Sequence, residues 1–334
     1  MIAIDRGRSG TKILWPGGGR VEWPPLAERL PGPPPAALVA EGTGPQPQRG
    51  AWARVGSDEW WALGEAARGG LHQDERKATP DARALAATVA VLAGYRHGQV
   101  DLGLAVPAGL AGTDAERLAR IVAGHVEVEV AGAGRAALWL RAHVLPEPAA
   151  ALLAVVLDAD GRPDPEAMRA TWAVADLGHR TLDVAALRGG RVLWSRSTPS
   201  GGLVAYETWI REVVEPGLGV LLTDGERASV VEAVASGYLP TVRGVALPRD
   251  MLVGLERHRA ALAERVVMDL RNALAGEAYD RLLLAGGLAC WLGEELLREY
   301  PHAIVVPEPR WAVAEGLRRY LAYRSAKDRQ AVHA

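Results

Sequence analysis

The chain is short of several residue types, and each shortage excludes a class of protein. Of 334 residues only Cys290 is a cysteine, which excludes an intrachain disulfide framework and a cysteine-built zinc cluster. Neither sign of charge is in excess. The formal net charge is −2 and the pI near 6.5, so there is no basic patch of the kind that reads nucleic acid or a membrane surface. No apolar run reaches membrane-spanning length, because Arg, Glu, Asp or Pro interrupts each one. Met1-Ile2-Ala3-Ile4-Asp5 reads directly as a strand, without a basic leader and signal core. The expected location is the cytoplasm. Phenylalanine is absent, and Asn272 is the single asparagine. Of 38 basic residues only Lys12, Lys77 and Lys327 are lysines. Where arginine has replaced nearly every lysine, a lysine that remains marks a place for a compact ammonium, which a planar guanidinium does not copy.

What is present is a large apolar share, 49%, rich in alanine, glycine and proline. That suffices for one large or two medium domains with sizeable cores. Apolar runs at residues 1–5, 11–15, 102–106, 126–130, 136–144, 172–176, 181–187, 191–196, 281–285 and 303–306 predict strands. Helices are predicted over 81–94, 113–122, 146–156, 203–214, 225–235, 249–274 (with one break), 288–299 and 311–324. Residues 24–35 are proline-rich and read as an irregular surface excursion, 37–41 as a strand, 51–55 and 59–63 as a strand pair, and Gly64 to Ala67 as the opening of a short helix. The plan of the first half returns in the second, which implies two related α/β domains with a cleft between them.

Ala173-Val174-Ala175-Asp176-Leu177-Gly178-His179-Arg180-Thr181-Leu182-Asp183-Val184 is the centre of the chain. An apolar run ends in an acid, a glycine turn follows, and a second run resumes. Gly178 allows backbone N–H groups to face outward as an anion-binding nest, and Asp176 can hold a cation beside it. Magnesium is commonly held by one or two carboxylates, water and phosphate. Asp and Gly are also ordinary hairpin residues. The same parts recur, however, in Asp5-Arg6-Gly7-Arg8-Ser9-Gly10-Thr11-Lys12, where Lys12 adds a cation for phosphate oxygens. Two further stretches join them. In Leu282-Leu283-Leu284-Ala285-Gly286-Gly287 a buried strand runs into paired glycines, which let a flat ring or phosphate approach the backbone, or simply make a strand–helix turn. In Pro146-Glu147-Pro148, Glu147 opens a helix; it is either a dipole-stabilised helix-start acid or the group that orients an attacking water.

Taken in chain order, from Asp5 to Lys12, then Pro146 to Ala151, Asp176 to Asp183 and Gly286 to Ala289, the four motifs resemble the actin superfamily of ATPases, which includes actin, the large ATP-driven chaperones and sugar kinases. Trp60-Trp61-Ala62-Leu63-Gly64-Glu65-Ala66-Ala67, Gly103-Leu104-Ala105-Val106-Pro107 and Ala312-Val313-Ala314-Glu315-Gly316 are similar to segments of the bacterial and archaeal plasmid-segregation (ParM/StbA) type. The resemblance covers nearly the whole chain. It implies two actin-like (ribonuclease H-like) α/β domains, each a mixed sheet flanked by helices, with a nucleotide cleft between them. Residues 1–145 would form the first, with a small insertion over 20–80, closed by a C-terminal helix at 311–325. Residues 146–310 would form the second, with a helical insertion over 210–275. ATP and Mg²⁺ are the implied cofactors. Asp5 and Asp176 would sit near the metal through its waters. Gly7, Ser9, Thr11 and Lys12 would line the phosphates from one side, and Gly178, Thr181 and Asp183 from the other. Glu147 would position the hydrolytic water, Gly286 and Gly287 would pass under the adenosine, and Glu207 would lie near the adenine and ribose. Arg6, Arg8, His179 and Arg180 depart from the small residues usual in the two turns, which puts normal turnover in doubt.

The function the resemblance implies is an actin-like ATPase that polymerises head to tail, with an adaptor protein linking it to DNA or other cargo. The alternatives are a monomeric small-molecule kinase, for which Asp101 and Asp183 are the candidate bases, and a nucleotide-binding scaffold with little hydrolysis. A chaperone would need a substrate-binding domain after Arg324, and none is expected. Trp15, Trp23, Trp52, Trp60, Trp61 and Trp209 lie outside the motifs; most are expected to fill the core in place of phenylalanine, with one or two on a contact surface.

Overall fold

The structure is a computed structural model that describes residues 1–7, 10–34, 49–67, 77–110, 112–235 and 239–333. The expected strand at 37–41 and the residues Arg8 and Ser9 lie outside that set. The first half opens with a three-strand meander, β1 (Ile2–Arg6), β2 (Thr11–Trp15) and β3 (Gly19–Trp23), each antiparallel to the next. β4 (Ala27–Leu30), β5 (Gly50–Val55) and β6 (Glu59–Gly64) follow, then α1 (Pro80–Leu92), β7 (His97–Val106), α2 (Thr113–Val122), β8 (Gly124–Val130) and β9 (Gly134–Pro146). α3 (Glu147–Val156) and the short α4 (Pro165–Arg169) lead to a second meander, β10 (Thr171–Leu177), β11 (Leu182–Arg188) and β12 (Arg191–Thr198). Then come α5 (Gly202–Trp209), a π turn at Ile210–Val214, α6 (Glu215–Leu218), α7 (Asp224–Ala235), the ribbon β13 (Thr241–Val242) and β14 (Val245–Ala246), and α8 (Arg249–Leu274). β15 (Arg281–Ala285), α9 (Ala289–Glu299), β16 (Ala303–Val305) and α10 (Ala312–His333) complete the chain.

The two halves share one topology. The nine-stranded sheet begins β3-β2-β1-β7-β9, and the five-stranded sheet runs β12-β11-β10-β15-β16. In each, an antiparallel meander is continued by two parallel strands, β7 and β9 in one, β15 and β16 in the other. β8, β5, β6 and β4 extend the first sheet beyond β9. Buried strands with both faces covered explain the unbroken apolar runs at Ile2–Ile4, Ala173–Ala175 and Leu282–Ala285.

α3 and α10 lie between the sheets. One core cluster unites Ala3 and Leu14 of the first sheet, Ala149–Leu152 of α3, Trp172 and Val174 of the second sheet, and Ala312–Ala314 and Leu317 of α10. The helices are alanine-rich because their backbones meet closely. A Cβ on Gly316 would fall inside the van der Waals shell of the Ala150 carbonyl oxygen. Gly316→Ala is therefore expected to destabilise the protein by about 1–3 kcal/mol through overpacking, despite alanine's helix preference of ~1 kcal/mol. Denaturant titration checks it; a more stable variant would show that the two helices part freely.

Several local expectations are corrected. The proline-rich stretch contains β4, which pairs antiparallel with β6 as an edge strand. Gly64 to Ala67 is not a helix. Gly64 ends β6 at φ +62 and the chain turns, with the Glu65 N–H donating to the Arg49 carbonyl at 3.0 Å. α8 runs unbroken for 26 residues, since an isolated glycine inside a helix lowers stability without ending it; a Cβ at Gly254 would reach Val213 at 3.1 Å. Trp23, Trp61 and Trp209 are buried, while Trp15, Trp52 and Trp60 are partly exposed. The tryptophan that stands open to solvent is Trp139 of β9, 57% exposed.

Candidate functional site

The two hairpins are copies at the level of register. Asp5 of β1 is paired with Lys12 of β2, and Asp176 of β10 with Asp183 of β11. Each pair stands one step from the strand ends, so equal chain lengths close the two turns. Pairing across the strand puts both members on one face of the hairpin. Lys12 in one copy thus takes the place of Asp183 in the other. Glu147 enters from between them as the first residue of α3, straight after β9, whose Pro146 is in register with Val106 of β7.

These side chains meet in one buried cluster. Asp5, Lys12, Asp176 and Asp183 are all at most 7% exposed. The Lys12 ammonium stands 3.7 Å from Asp5 Oδ2 and fills the space over Gly7, where a Cβ would lie 2.9 Å from it. Lys77, just ahead of α1, stands 3.5 Å from Asp5 Oδ1 and donates a hydrogen bond to Glu147 Oε1. The Thr181 hydroxyl donates to Asp183 Oδ2 at 2.8 Å, and Thr11 is buried beside Lys12 at the start of β2.

Glycines close the cluster from the second sheet. Gly178 donates its N–H to the Thr181 carbonyl at 2.9 Å, which makes the turn tight, and the Gly202 N–H at the head of α5 donates to the Gly178 carbonyl at 3.2 Å. Gly286, at φ +87, leaves no room for a Cβ, which would strike Asp176 Oδ1 and the Leu177 carbonyl. Gly287 faces the stem of Arg310, whose guanidinium bridges at 2.6 Å to Glu22 of β3. Glu207 stands exposed on α5, one to two turns beyond Gly202. A separate surface groove of about 520 Å³, walled by Trp15, Arg20, Trp311 and Arg318, shares no residue with the cluster.

Four carboxylates here face two ammonium groups among the described residues, a formal deficit of two positive charges. The deficit shows in the acids. Burial, then repulsion from Glu147, Asp183 and Asp5, lifts Asp176 well above the ordinary carboxyl range. Burial also raises Glu147, with Asp5 and Asp183 adding to it against the pull of Lys77. Lys77 is lowered by burial, but the Glu147 and Asp5 carboxylates outweigh that and hold its ammonium above the usual value. No three His, Cys, Asp or Glu side chains among the described residues converge tightly enough to cage a metal directly. Hard carboxylate oxygens with a deficit of two charges fit Mg²⁺ bound largely through water and phosphate; they do not fit zinc, which takes four close protein or water ligands.

No family model matches the sequence, and no curated protein matches it. Solved structures match along its whole length. Ta0583, an archaeal actin homolog, superposes with a TM-score of 0.74 at 18% identity, covering 97% of this chain and 100% of that one. The chain has the actin-like fold. The complex of Ta0583 with ADP gives a TM-score of 0.72 at 19% identity, over 98% of this chain and 99% of that one. A 15-stranded ParM filament from Clostridium botulinum gives 0.71 at 13% identity, over 96% and 97%, and Bacillus thuringiensis ParM with ATP gives 0.68 at 15% identity, over 98% of both chains.

Within this actin-like fold, three residues weighed in the sequence reading stand outside the buried cluster, and one member of the cluster was missed. Arg6 turns away from the cluster to Asp81 at 2.7 Å and to the Lys77 carbonyl at 3.0 Å. Arg180 is exposed at the second turn. Asp101, a candidate base for a kinase, lies mid-strand in β7, held by Arg141 with His143 at 3.7 Å. Burial raises its carboxyl, but Arg141 outweighs that and keeps it below its usual range. The missed residue is Lys77. The signal was the scarcity of lysine itself: two of the three lysines stand in this cluster, and the third, Lys327, lies over the ring of Tyr323 on α10. No motif surrounds Lys77, so only that scarcity marked it.

Proposed function

We propose that this chain is a magnesium-dependent ATPase that binds ATP between its two sheets and polymerises head to tail into filaments, with hydrolysis controlling filament turnover. The observation that carries the reading is the buried meeting of two register-matched Asp-x-Gly hairpins, with two ammonium groups and a deficit of two positive charges. Phosphoryl chemistry needs positioning and charge stabilisation more than covalent help from the protein, and this cluster supplies both. Asp5 and Asp176 lie near Mg²⁺ through its waters. Gly7, Ser9, Thr11 and Lys12 line the phosphates from the first sheet; Gly178, Thr181 and Asp183 line them from the second. Gly286 and Gly287 pass beneath the adenosine, with Glu207 toward the adenine and ribose. Glu147 orients the attacking water. The fold's neighbours include one protein solved with ADP, one with ATP and one as a filament, which supports nucleotide-linked assembly. Plasmid or cargo movement through an adaptor, in the cytoplasm, is the cellular role that fits. The engagement of Asp101 by Arg141 weighs against that residue as the base of a kinase and leaves Asp183 as the remaining candidate for that reading.

Head-to-tail contacts that do not close on themselves produce fibres with a critical concentration. Adding ATP and magnesium to the purified chain is expected to raise light scattering above a threshold protein concentration, with pelletable polymer. Strictly monomeric sedimentation at high concentration, with ATP bound and several buffers tried, would overturn the filament reading.

A further inference from the structure

We propose that Lys77 is a positioning residue that reads the terminal phosphate. Without nucleotide its ammonium holds Glu147; with a nucleoside triphosphate it passes to the third phosphate and releases the Glu147 oxygen toward water. The inference rests on the nucleotide-binding reading above and deepens it.

Four observations carry it. First, Lys77 and Glu147 touch directly in a pocket where their side chains are 11% and 15% exposed, so water screens the pair little. Second, the contact occupies one of the two carboxylate oxygens of Glu147, the residue proposed above to orient the water. Third, Lys77 is anchored by its backbone as well as by its ammonium, which meets Asp5 and Glu147. Arg6, the residue after Asp5, donates to the Lys77 carbonyl at 3.0 Å and to the Thr79 hydroxyl at 3.3 Å, and pairs with Asp81 in the first turn of α1. A change of partner at the ammonium therefore needs only the four-carbon stem to move, while its base stays fixed to the end of β1. Fourth, the group is an ammonium in a chain whose other cations are nearly all arginine. A compact ammonium has three donors and moves between oxygen partners without a planar fork to satisfy.

The two lysines then divide the work. Lys12 sits over Gly7, in the first turn, and on Asp5, where it meets phosphates common to di- and triphosphates. Lys77 stands at Glu147, on the water side. A diphosphate leaves it there, and a triphosphate supplies a richer anion that competes with Glu147. Lys77 accordingly sets the preference for triphosphate over diphosphate and couples that preference to release of Glu147.

The test is equilibrium binding of fluorescent ATP and ADP analogues, each with magnesium, to the full chain. The variants are Lys77→Met, Lys77→Arg and the double variant Lys77→Met with Glu147→Gln, which leaves no buried unpaired carboxylate from the pair. Lys77→Met is expected to weaken ATP binding roughly 10- to 100-fold, the worth of a charge-assisted hydrogen bond, and to leave ADP within about twofold. The double variant is expected to lose the same ATP preference, and Lys77→Arg to recover part of it at most. Equal weakening for both nucleotides, or no change in their ratio in the double variant, would overturn the inference and leave Lys77 a structural counter-ion. If the wild-type chain binds neither nucleotide, the nucleotide-binding reading fails and this inference falls with it.

Discussion

Asp176→Ala is expected to abolish magnesium-dependent ATP turnover while the nucleotide-free protein melts no lower than the wild type. The two halves of that result have one cause. Asp176 is buried, has Gly286 pressed against its Oδ1, and is surrounded by three other acids. Its ionised form is thus unfavourable in the folded chain. A group whose folded pKa is raised contributes stability only while protonated, below its unfolded value; as pH rises toward neutrality that contribution is lost. Removing the acid relieves a cost at neutral pH. Buried, repelled carboxylates cluster at functional sites, which is why the two effects are expected together. Asp5 makes the contrast. It stands between Lys12 and Lys77, so Asp5→Ala leaves two buried ammonium groups short of a partner. It is expected to reduce turnover greatly and also to destabilise the fold by about 1–3 kcal/mol. Melting curves and a phosphate-release assay on both variants separate the cases. Unchanged turnover in either folded variant would refute the clamp of paired hairpins.

The sequence carried the hairpins because their signal is local. Strand, acid, glycine turn and strand fit within 12 residues, and the register that pairs Asp176 with Asp183 follows from turn length alone. Gly316 was legible as part of a motif, but its reason, contact with the Ala150 carbonyl, is tertiary. What escaped was set by distant partners. β4 forms because β6 offers it an edge, against the local message of the prolines on either side of it. α8 stays whole because a packed helix tolerates one glycine. Lys77 joins Glu147 across 70 residues, and nothing in its own neighbourhood announces that meeting. The duplicated strand order is the deeper case: no run of residues is repeated, yet both sheets are built in the same order. Apolar strands buried on both faces accept many sequences, so topology persists where identity does not.

Glu147→Ala is expected to keep ATP affinity and to slow hydrolysis by roughly 10²–10⁴, the range for loss of a positioned general base. The residue opens α3, where the helix dipole favours a carboxylate, and Lys77 favours it further. Burial and the neighbouring Asp5 and Asp183 outweigh both and raise its pKa, which makes it a better proton acceptor than an exposed glutamate. On the proposed reading, its place between the hairpins is the water side of a phosphate chain rather than the nucleoside side. Affinity should therefore survive its removal, and filaments formed with ATP should persist because the step that weakens them is slowed. Glu147→Gln keeps the side-chain shape and should behave the same way in single-turnover hydrolysis, with polymer lifetime followed by light scattering. Loss of ATP affinity in both variants, in place of slowed chemistry, would assign Glu147 to the start of α3 as a structural residue and leave the attacking water to be oriented by other groups.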